Sequence, residues 1–158
     1  MLKMLKEKIA YILASWFYVG YAPKASGTVG SLFALPVVFL SVWFGYKSVL
    51  LVSFILFLIG WWATHVVLKT QKDKDPSFVV IDEVMGQTLT FLFVTTYTMN
   101  VPFFIFVGFA LFRFFDIVKV WPAGFFDKKM ENALGVMLDD AVAAVYAGIC
   151  LYIITLFI

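Results

Sequence analysis

Five long apolar runs constrain this chain more than any other feature. They cover about residues 32–46, 48–68, 84–99, 101–118 and 141–158, each roughly 15 to 21 residues against the 17 to 25 that a spanning helix needs. Hydrocarbon offers a backbone no hydrogen-bond partners, so segments of this kind satisfy their own as α-helices. A soluble domain of 158 residues would also need a polar shell, and 12 Lys/Arg with 10 Asp/Glu are too few to build one when 63% of the chain is hydrophobic. Gly45, Tyr46 and Lys47 separate the first two runs, and Asn100 with Pro102 separates the third and fourth, which predicts two tight helical hairpins. With no repeat and no low-complexity linker, residues 1–158 read as a single all-α domain, a polytopic helical membrane protein with about five transmembrane helices.

The lysines predict its orientation. If both hairpin tips face outward, that side carries only Lys47, and the opposite side receives Lys3, Lys6, Lys8, Lys24 and the clusters at 69–74 and 119–129. The polar loops then face the cytoplasm. This requires that residues 9–22 do not span, because Lys24 and the N-terminus must share a side. They are expected to form an N-terminal interfacial amphipathic helix with Trp16, Tyr18 and Tyr21 at head-group level. The same segment has the basic start and apolar middle of a signal peptide, but bulky Trp16, Phe17, Tyr18 and Tyr21 stand where small cleavage-site residues belong, so it is expected to remain in the mature protein. Cys150 is the only cysteine and sits in an apolar run, so an intrachain disulfide is excluded.

Three polar stretches meet on the cytoplasmic side: residues 23–31, 81–86 and 113–140. Asp82 and Glu83 stand at the head of one apolar run, Asp116 lies in the last turns of another, and Asp139 and Asp140 open a third. Ionisable groups at such depth are costly and are read by default as functional. Either pair alone has a second reading, since acidic side chains at a helix start offset its dipole and cap free N–H groups. Five carboxylates gathered at one membrane face demand a cation, and oxygen donors suit Mg²⁺, which keeps several waters and shares its shell with substrate phosphates. The candidate catalytic residues are therefore Asp82, Glu83, Asp116, Asp139 and Asp140, with Asp82, Glu83, Asp116 and Asp140 as candidate metal ligands.

Candidate anion-binding groups lie beside them. Gly27-Thr-Val-Gly-Ser31 runs directly into a helix, so its N–H groups and the hydroxyls of Thr28 and Ser31 could hold a phosphate there; equally, its small residues could serve close helix packing. Arg113, the only arginine, precedes Asp116 by one turn, and Lys119 follows by another. That spacing allows either a structural ion pair or binding of phosphate oxygens by Arg113 or Lys119. Asp127 is as well placed to cap a helix as to bind a metal. His65, beside Trp61 and Trp62, reads as a polar interface residue rather than a catalyst.

Taken together, Gly27-Thr-Val-Gly-Ser31, Ile81-Asp-Glu-Val-Met-Gly86, Phe112-Arg-Phe-Phe-Asp116, Lys119 with Trp121-Pro122, Phe126-Asp127 and Gly135-Val-Met-Leu-Asp-Asp-Ala141 resemble, in order and spacing, the phosphatidylglycerophosphatase A family over about residues 20–150. The resemblance implies hydrolysis of the phospholipid phosphatidylglycerophosphate to phosphatidylglycerol and inorganic phosphate, with Mg²⁺, in a bacterial inner membrane. Two departures, Ser26 before Gly-Thr and Val120 between Lys119 and Trp121, alter backbone stiffness rather than charge.

Other chemistries fail on missing residues. A Cys-x5-Arg phosphatase would need arginine at position 156, where Leu156 stands, and a histidine-dependent lipid phosphatase needs more than His65. A transferase that cleaves CDP-alcohols would need an Asp-Gly-x2-Ala-Arg core, which is absent. The alternative from another class is a small cation-binding transporter or a non-catalytic assembly protein that uses the same carboxylates to bind cations. For an enzyme, the carboxylates fit in-line displacement by a metal-activated water or, equally on sequence grounds, attack by an aspartate.

Overall fold

A computed structural model describes residues 1–71, 76–94 and 101–157, without the side chains of Val101, Asp127 and Lys128. Lys72, Lys74 and Asn100, which entered the expected topology, lie outside the described residues. The described part is helical throughout: α1 (Leu2–Ala14), a 3-10 turn (Val19–Tyr21), α2 (Ser26–Trp43), α3 (Tyr46–Leu68), α4 (Ile81–Leu89), α5 (Val101–Val118), α6 (Ala123–Lys129) and α7 (Ala133–Thr155).

Among the described residues, three helices are long and apolar enough to cross a bilayer: α2, α3 and α7, with 18, 23 and 23 residues. About five were expected, and the third run accounts for part of the difference. Residues 84–99 read as one apolar stretch, but α4 stops at Leu89 after nine residues and the chain turns through Thr90 to Phe93. At 1.5 Å per residue α4 is about 14 Å long, half of the ~30 Å hydrocarbon core. Its apolar residues pack on neighbouring helices: Ile81, Val84 and Met85 join Leu56, Ala63 and Met137 in one buried cluster. The 18-residue α5 matches the fourth run and carries Arg113 and Asp116 near its C-terminal end.

Two helices begin earlier than the apolar runs suggested. α2 starts at Ser26, so Gly27 to Ser31 form its first turns instead of a loop before it. α7 starts at Ala133, where the Asn132 side chain accepts hydrogen bonds from the Leu134 and Gly135 N–H groups at 3.0 Å. This cap satisfies two of the four donors that a helix start leaves free, and it places Asp139 and Asp140 almost two turns inside the helix. The stretch from 9 to 22 is not one helix. α1 ends at Ala14, and Trp16, Phe17 and Tyr18 take left-handed backbone angles (φ 47°, 56° and 71°) that reverse the chain. Ser15 Oγ holds that reversal by donating to the Tyr11 carbonyl and accepting from Tyr18 N–H. α5 stops at Val118, and Pro122 immediately precedes α6.

Close helix contacts hold the polar end together. A Cβ on Gly30 would meet the Val80 side chain at 2.8 Å, and one on Gly86 would meet the Phe112 ring at 2.5 Å. Phe78 stacks between Tyr11 and Tyr21, with ring centroids at 5.6 and 5.0 Å. The segment leading into α4 is thereby clamped against α1 and the 3-10 turn. The α2–α3 hairpin, with Gly45 at φ 89°, lies at the far end of both helices from Ser26 and Leu68.

Candidate active site

Both helix starts and helix ends deliver acidic side chains to one cavity. α4 contributes Asp82 and Glu83 from its first turn, α5 contributes Asp116 from its last, and α7 contributes Asp139 and Asp140. All five line a cavity of about 350 Å³, together with Lys119. One oxygen from each of Asp82, Glu83 and Asp140 lies within 4.8 Å of the others. Asp82, Asp116, Asp139 and Asp140 are each at most 9% exposed. The five carboxylates proposed from sequence are therefore one group in space, although they span 59 positions of chain.

Burial of like charges sets the electrostatics. Loss of solvation pushes the Glu83 carboxyl up to about 8, with Asp140 and Asp116 adding to the rise and Arg113 opposing it. Asp82 is raised well above its ordinary range, first by burial and then by the charge of Glu83. Burial and neighbouring like charge both favour the protonated form of a carboxyl. Asp82 Oδ1, Glu83 Oε2 and Asp140 Oδ2 are buried with no hydrogen-bond partner, and such atoms cost free energy unless something satisfies them. The donor set is all carboxylate oxygen, which fits a hard divalent cation such as Mg²⁺.

Two cations answer part of this charge, in different ways. Arg113 Nη1 lies 2.6 Å from Asp116 Oδ2 and 4.0 Å from Glu83 Oε1, and it donates to Ser31 Oγ at 3.4 Å. It is 14% exposed and packs against Gly27, where a Cβ would collide with the Glu83 carboxylate and approach both guanidinium nitrogens to 3.1 and 3.2 Å. Of the two readings of the Arg113–Asp116 spacing, the structural ion pair forms, beside the acidic group, and Arg113 is not among the residues lining the cavity. Lys119 lines the cavity and pairs with Asp139. Asp139 Oδ1 also accepts from the Asp140 N–H at 2.8 Å.

The Gly-Thr-Val-Gly-Ser segment serves the site from behind. Ser31 is fully buried, donates to the Gly27 carbonyl at 2.9 Å and accepts from Arg113. Neither Thr28 nor Ser31 lines the cavity, whereas Ser26 does. Asp127 lies among the undescribed side chains. His65 is exposed and is not part of the cavity wall. Sequence reasoning passed over Ser26, Glu131 and Gln87. The first two line the cavity, and only proximity to the motifs could have pointed to them. Gln87 is fully buried with neither amide atom partnered. It follows Glu83 by one helical turn, a spacing that could have signalled it.

Comparison with known proteins agrees with this arrangement. The family description "Phosphatidylglycerophosphatase A" matches residues 12–155. The chain is 36% identical over 146 residues to phosphatidylglycerophosphatase A of Haemophilus influenzae, covering 91% of this chain and 87% of the relative. It is 32% identical over 144 residues to the Escherichia coli protein of that name, covering 91% and 82%. A Bacteroides thetaiotaomicron protein provisionally named phosphatidylinositol-3-phosphatase is 35% identical over 147 residues, covering 87% and 88%. No solved structure gives a significant match. The matched region includes every residue of the acidic cavity, and the chain belongs to the phosphatidylglycerophosphatase A family.

Proposed function

We propose that this chain hydrolyses phosphatidylglycerophosphate to phosphatidylglycerol and inorganic phosphate, with Mg²⁺, at the cytoplasmic face of a bacterial inner membrane. The observation that carries the reading is the carboxylate triad of Asp82, Glu83 and Asp140, with buried oxygens lacking partners, opening on a cavity that Lys119 also lines. Family membership supplies the lipid phosphate monoester as substrate class. The lysine asymmetry supports an inner leaflet facing the cytoplasm, and the apolar α5 supports a fourth span beside the three long helices.

Asp82, Glu83 and Asp140 would hold the cation, with Asp116 beside them. When bound, Mg²⁺ supplies neutralisation of charge on the phosphoryl oxygens. The remaining work falls to the chain. A cavity carboxylate, Asp139 being one that Lys119 orients, accepts the proton of the attacking water as its oxygen bonds to phosphorus. The phosphorus–oxygen bond to the glycerol breaks in that displacement, the leaving oxygen takes up a proton from solvent, and the carboxylate releases to solvent the one it accepted. Lys119 offsets phosphate charge at the cavity wall, and Arg113 fixes Asp116 and Glu83 from behind. Of the residues expected to touch substrate, Lys119 lines the cavity, whereas Thr28, Ser31 and Arg113 stand further back, where Ser31 accepts from Arg113.

Phosphate release from phosphatidylglycerophosphate by the purified protein in detergent tests this reading, with phosphatidylinositol-3-phosphate as the competing substrate. Release should stop with chelator and return with Mg²⁺. Full release by chelated protein would remove the metal from the proposal, and preference for the inositol lipid would replace its substrate. Cation transport without phosphate release would favour the transporter alternative.

A further inference from the structure

A second cavity, of about 340 Å³, lies between the N-terminal half of α1 and the C-terminal end of α3. Lys3, Lys6 and Lys69 line it with Glu7, Trp62 and His65, and it shares no lining residue with the acidic cavity. Three lysines against one glutamate give its lining an excess of positive charge, which attracts anions. Polar contacts beside the groove tie α1 to the end of α3. The Tyr11 hydroxyl lies 2.9 Å from Thr70 Oγ1 and accepts from Gln71 Nε2 at 2.7 Å, and Ala10 and Ala14 on α1 are fully buried.

What surrounds the cavity decides which anion. On α1, Leu2, Leu5 and Ile9 form an exposed apolar stripe, 81%, 54% and 42% accessible, and Lys3 and Lys6 flank it. On α3, exposed apolar residues run from the cavity along the helix: Trp62, then Leu58, Ile55 and Leu51 at spacings of three to four residues. α3 is one of the three helices able to cross a bilayer. The cavity therefore sits where an apolar track meets a cluster of ammonium groups, with an indole at the junction, and this matches the two-part chemistry of a phospholipid.

We infer that the α1–α3 groove binds an anionic phospholipid as a ligand separate from the substrate, with its phosphate between Lys3, Lys6 and Lys69 and an acyl chain along Leu58, Ile55 and Leu51. The groove lies at the same end of α3 as the chain segment leading to Asp82, so it holds the polar face of the protein against an anionic leaflet. This depends on the membrane reading of α3 and not on the phosphatase assignment.

Bromine on a lipid acyl chain quenches nearby indoles, which makes Trp62 a reporter. The protein is reconstituted in phosphatidylcholine vesicles in which either phosphatidylglycerol or an equal share of the phosphatidylcholine carries brominated chains. The Trp62 contribution is taken as the difference from Trp62→Phe. Brominated phosphatidylglycerol should quench Trp62 more than brominated phosphatidylcholine does. The triple variant Lys3→Ala, Lys6→Ala, Lys69→Ala should lose that excess, with affinity for the anionic lipid falling by roughly two orders of magnitude. Hydrolysis of detergent-dispersed substrate should be unchanged, showing that the fold is intact. If the triple variant loses hydrolysis in detergent, Lys69→Gln carries the same comparison. Equal quenching by the two lipids, or an excess that survives the lysine substitutions, would overturn the inference, and neither outcome depends on which lipid is hydrolysed.

Discussion

α3 and α4 are neighbours in the same core and are both drawn from apolar runs, yet they obey different rules. α3 has 23 residues and exposes Leu50, Leu51, Phe54, Ile55, Leu58, Trp61 and Trp62 along its length. α4 has nine, none of them exposed, and its buried set includes Asp82, Gln87 and Thr88. On the membrane reading of α3, lipid solvates most of its outer face, and its exposed residues from Leu50 to Trp62 are all apolar, with exposed Lys47 and His65 near the two ends. Protein solvates α4, so it can carry carboxylates and an amide at a depth where lipid-facing groups of that kind would be prohibitively costly. Its hydroxyls turn back on the helix, Thr88 Oγ1 to the Val84 carbonyl at 2.8 Å and Thr90 Oγ1 to Gly86 at 3.0 Å. The carboxylates have no such local escape. A short helix wrapped by longer ones is thus a place to hold charge, and its length and its chemistry have one cause.

The contrast is broken most directly by exchanging charge on each helix. Asp82→Asn on α4 should lower kcat by at least on the order of 10² if Asp82 is the metal ligand or base proposed above, since it keeps the side-chain volume and removes the charge. His65→Ala on α3 should leave kcat nearly unchanged, as His65 lies on the exposed side at the basic groove. Phosphate-release kinetics on both variants make the test, and equal losses would mean that α4 is no more specialised than α3.

Arg113 sharpens the comparison, since its guanidinium reaches Glu83 on α4 and Asp116 on α5. Arg113→Lys keeps the charge but loses the planar fork, and should lower kcat/KM by roughly 10 to 10². Lys129→Ala, at an exposed position of α6, should cost about 1 kcal/mol of attraction to an anionic surface, a loss that shrinks as salt rises. The deficit at 113 should persist in high salt, because the pair is shielded by protein. Salt-sensitive losses of similar size at both positions would reduce Arg113 to a contributor to the surface field.

Much of the site was legible because the signal was chemical. Acidic residues are scarce in a chain this apolar, so Asp82, Glu83, Asp116, Asp139 and Asp140 stood out one by one, and the structure puts them around one cavity. The fold was legible where hydrophobicity and geometry coincide, as in α3, whose bounds of 46–68 nearly repeat the run of 48–68. It failed where apolar sequence is buried by protein instead of lipid. Hydropathy cannot distinguish the two solvents, so α4 looked like the start of a spanning helix. It also failed at helix starts, because a first turn of Ser-Gly-Thr or Ala-Leu-Gly lacks the hydropathy by which the runs were drawn, although α2 and α7 begin there. Gln87 escaped notice for a related reason: one amide in an apolar run carries no charge to mark it.

Adding one methyl group to the glycine of each helix separates packing from charge. A Cβ at Gly86 of α4 would meet the Phe112 ring at 2.5 and 2.6 Å and the Asp140 carbonyl oxygen at 3.1 Å. Phe112 is fully buried and a backbone oxygen moves only with its helix, so neither neighbour can yield without shifting the cluster around it. A Cβ at Gly60 of α3 would meet Met137 at 2.7 and 2.8 Å and Ile81 Cγ2 at 3.2 Å, and the two closest of these atoms are the end of a thioether side chain. Methionine has three rotatable bonds and adapts to such intrusions. Gly86→Ala should therefore lower stability by about 1 to 3 kcal/mol, the range for overpacking a filled core. Gly60→Ala should stay within about 1 kcal/mol of the parent, since the helix-propensity gain of alanine over glycine opposes the residual crowding. Thermal unfolding of the two variants in one detergent gives the difference. Gly86→Ala also pushes on the backbone beside Asp140, so its activity should fall further than its stability predicts. If Gly60→Ala is the more damaging of the two, α4 is not the tightly enclosed helix on which the division between lipid-solvated and protein-solvated segments rests.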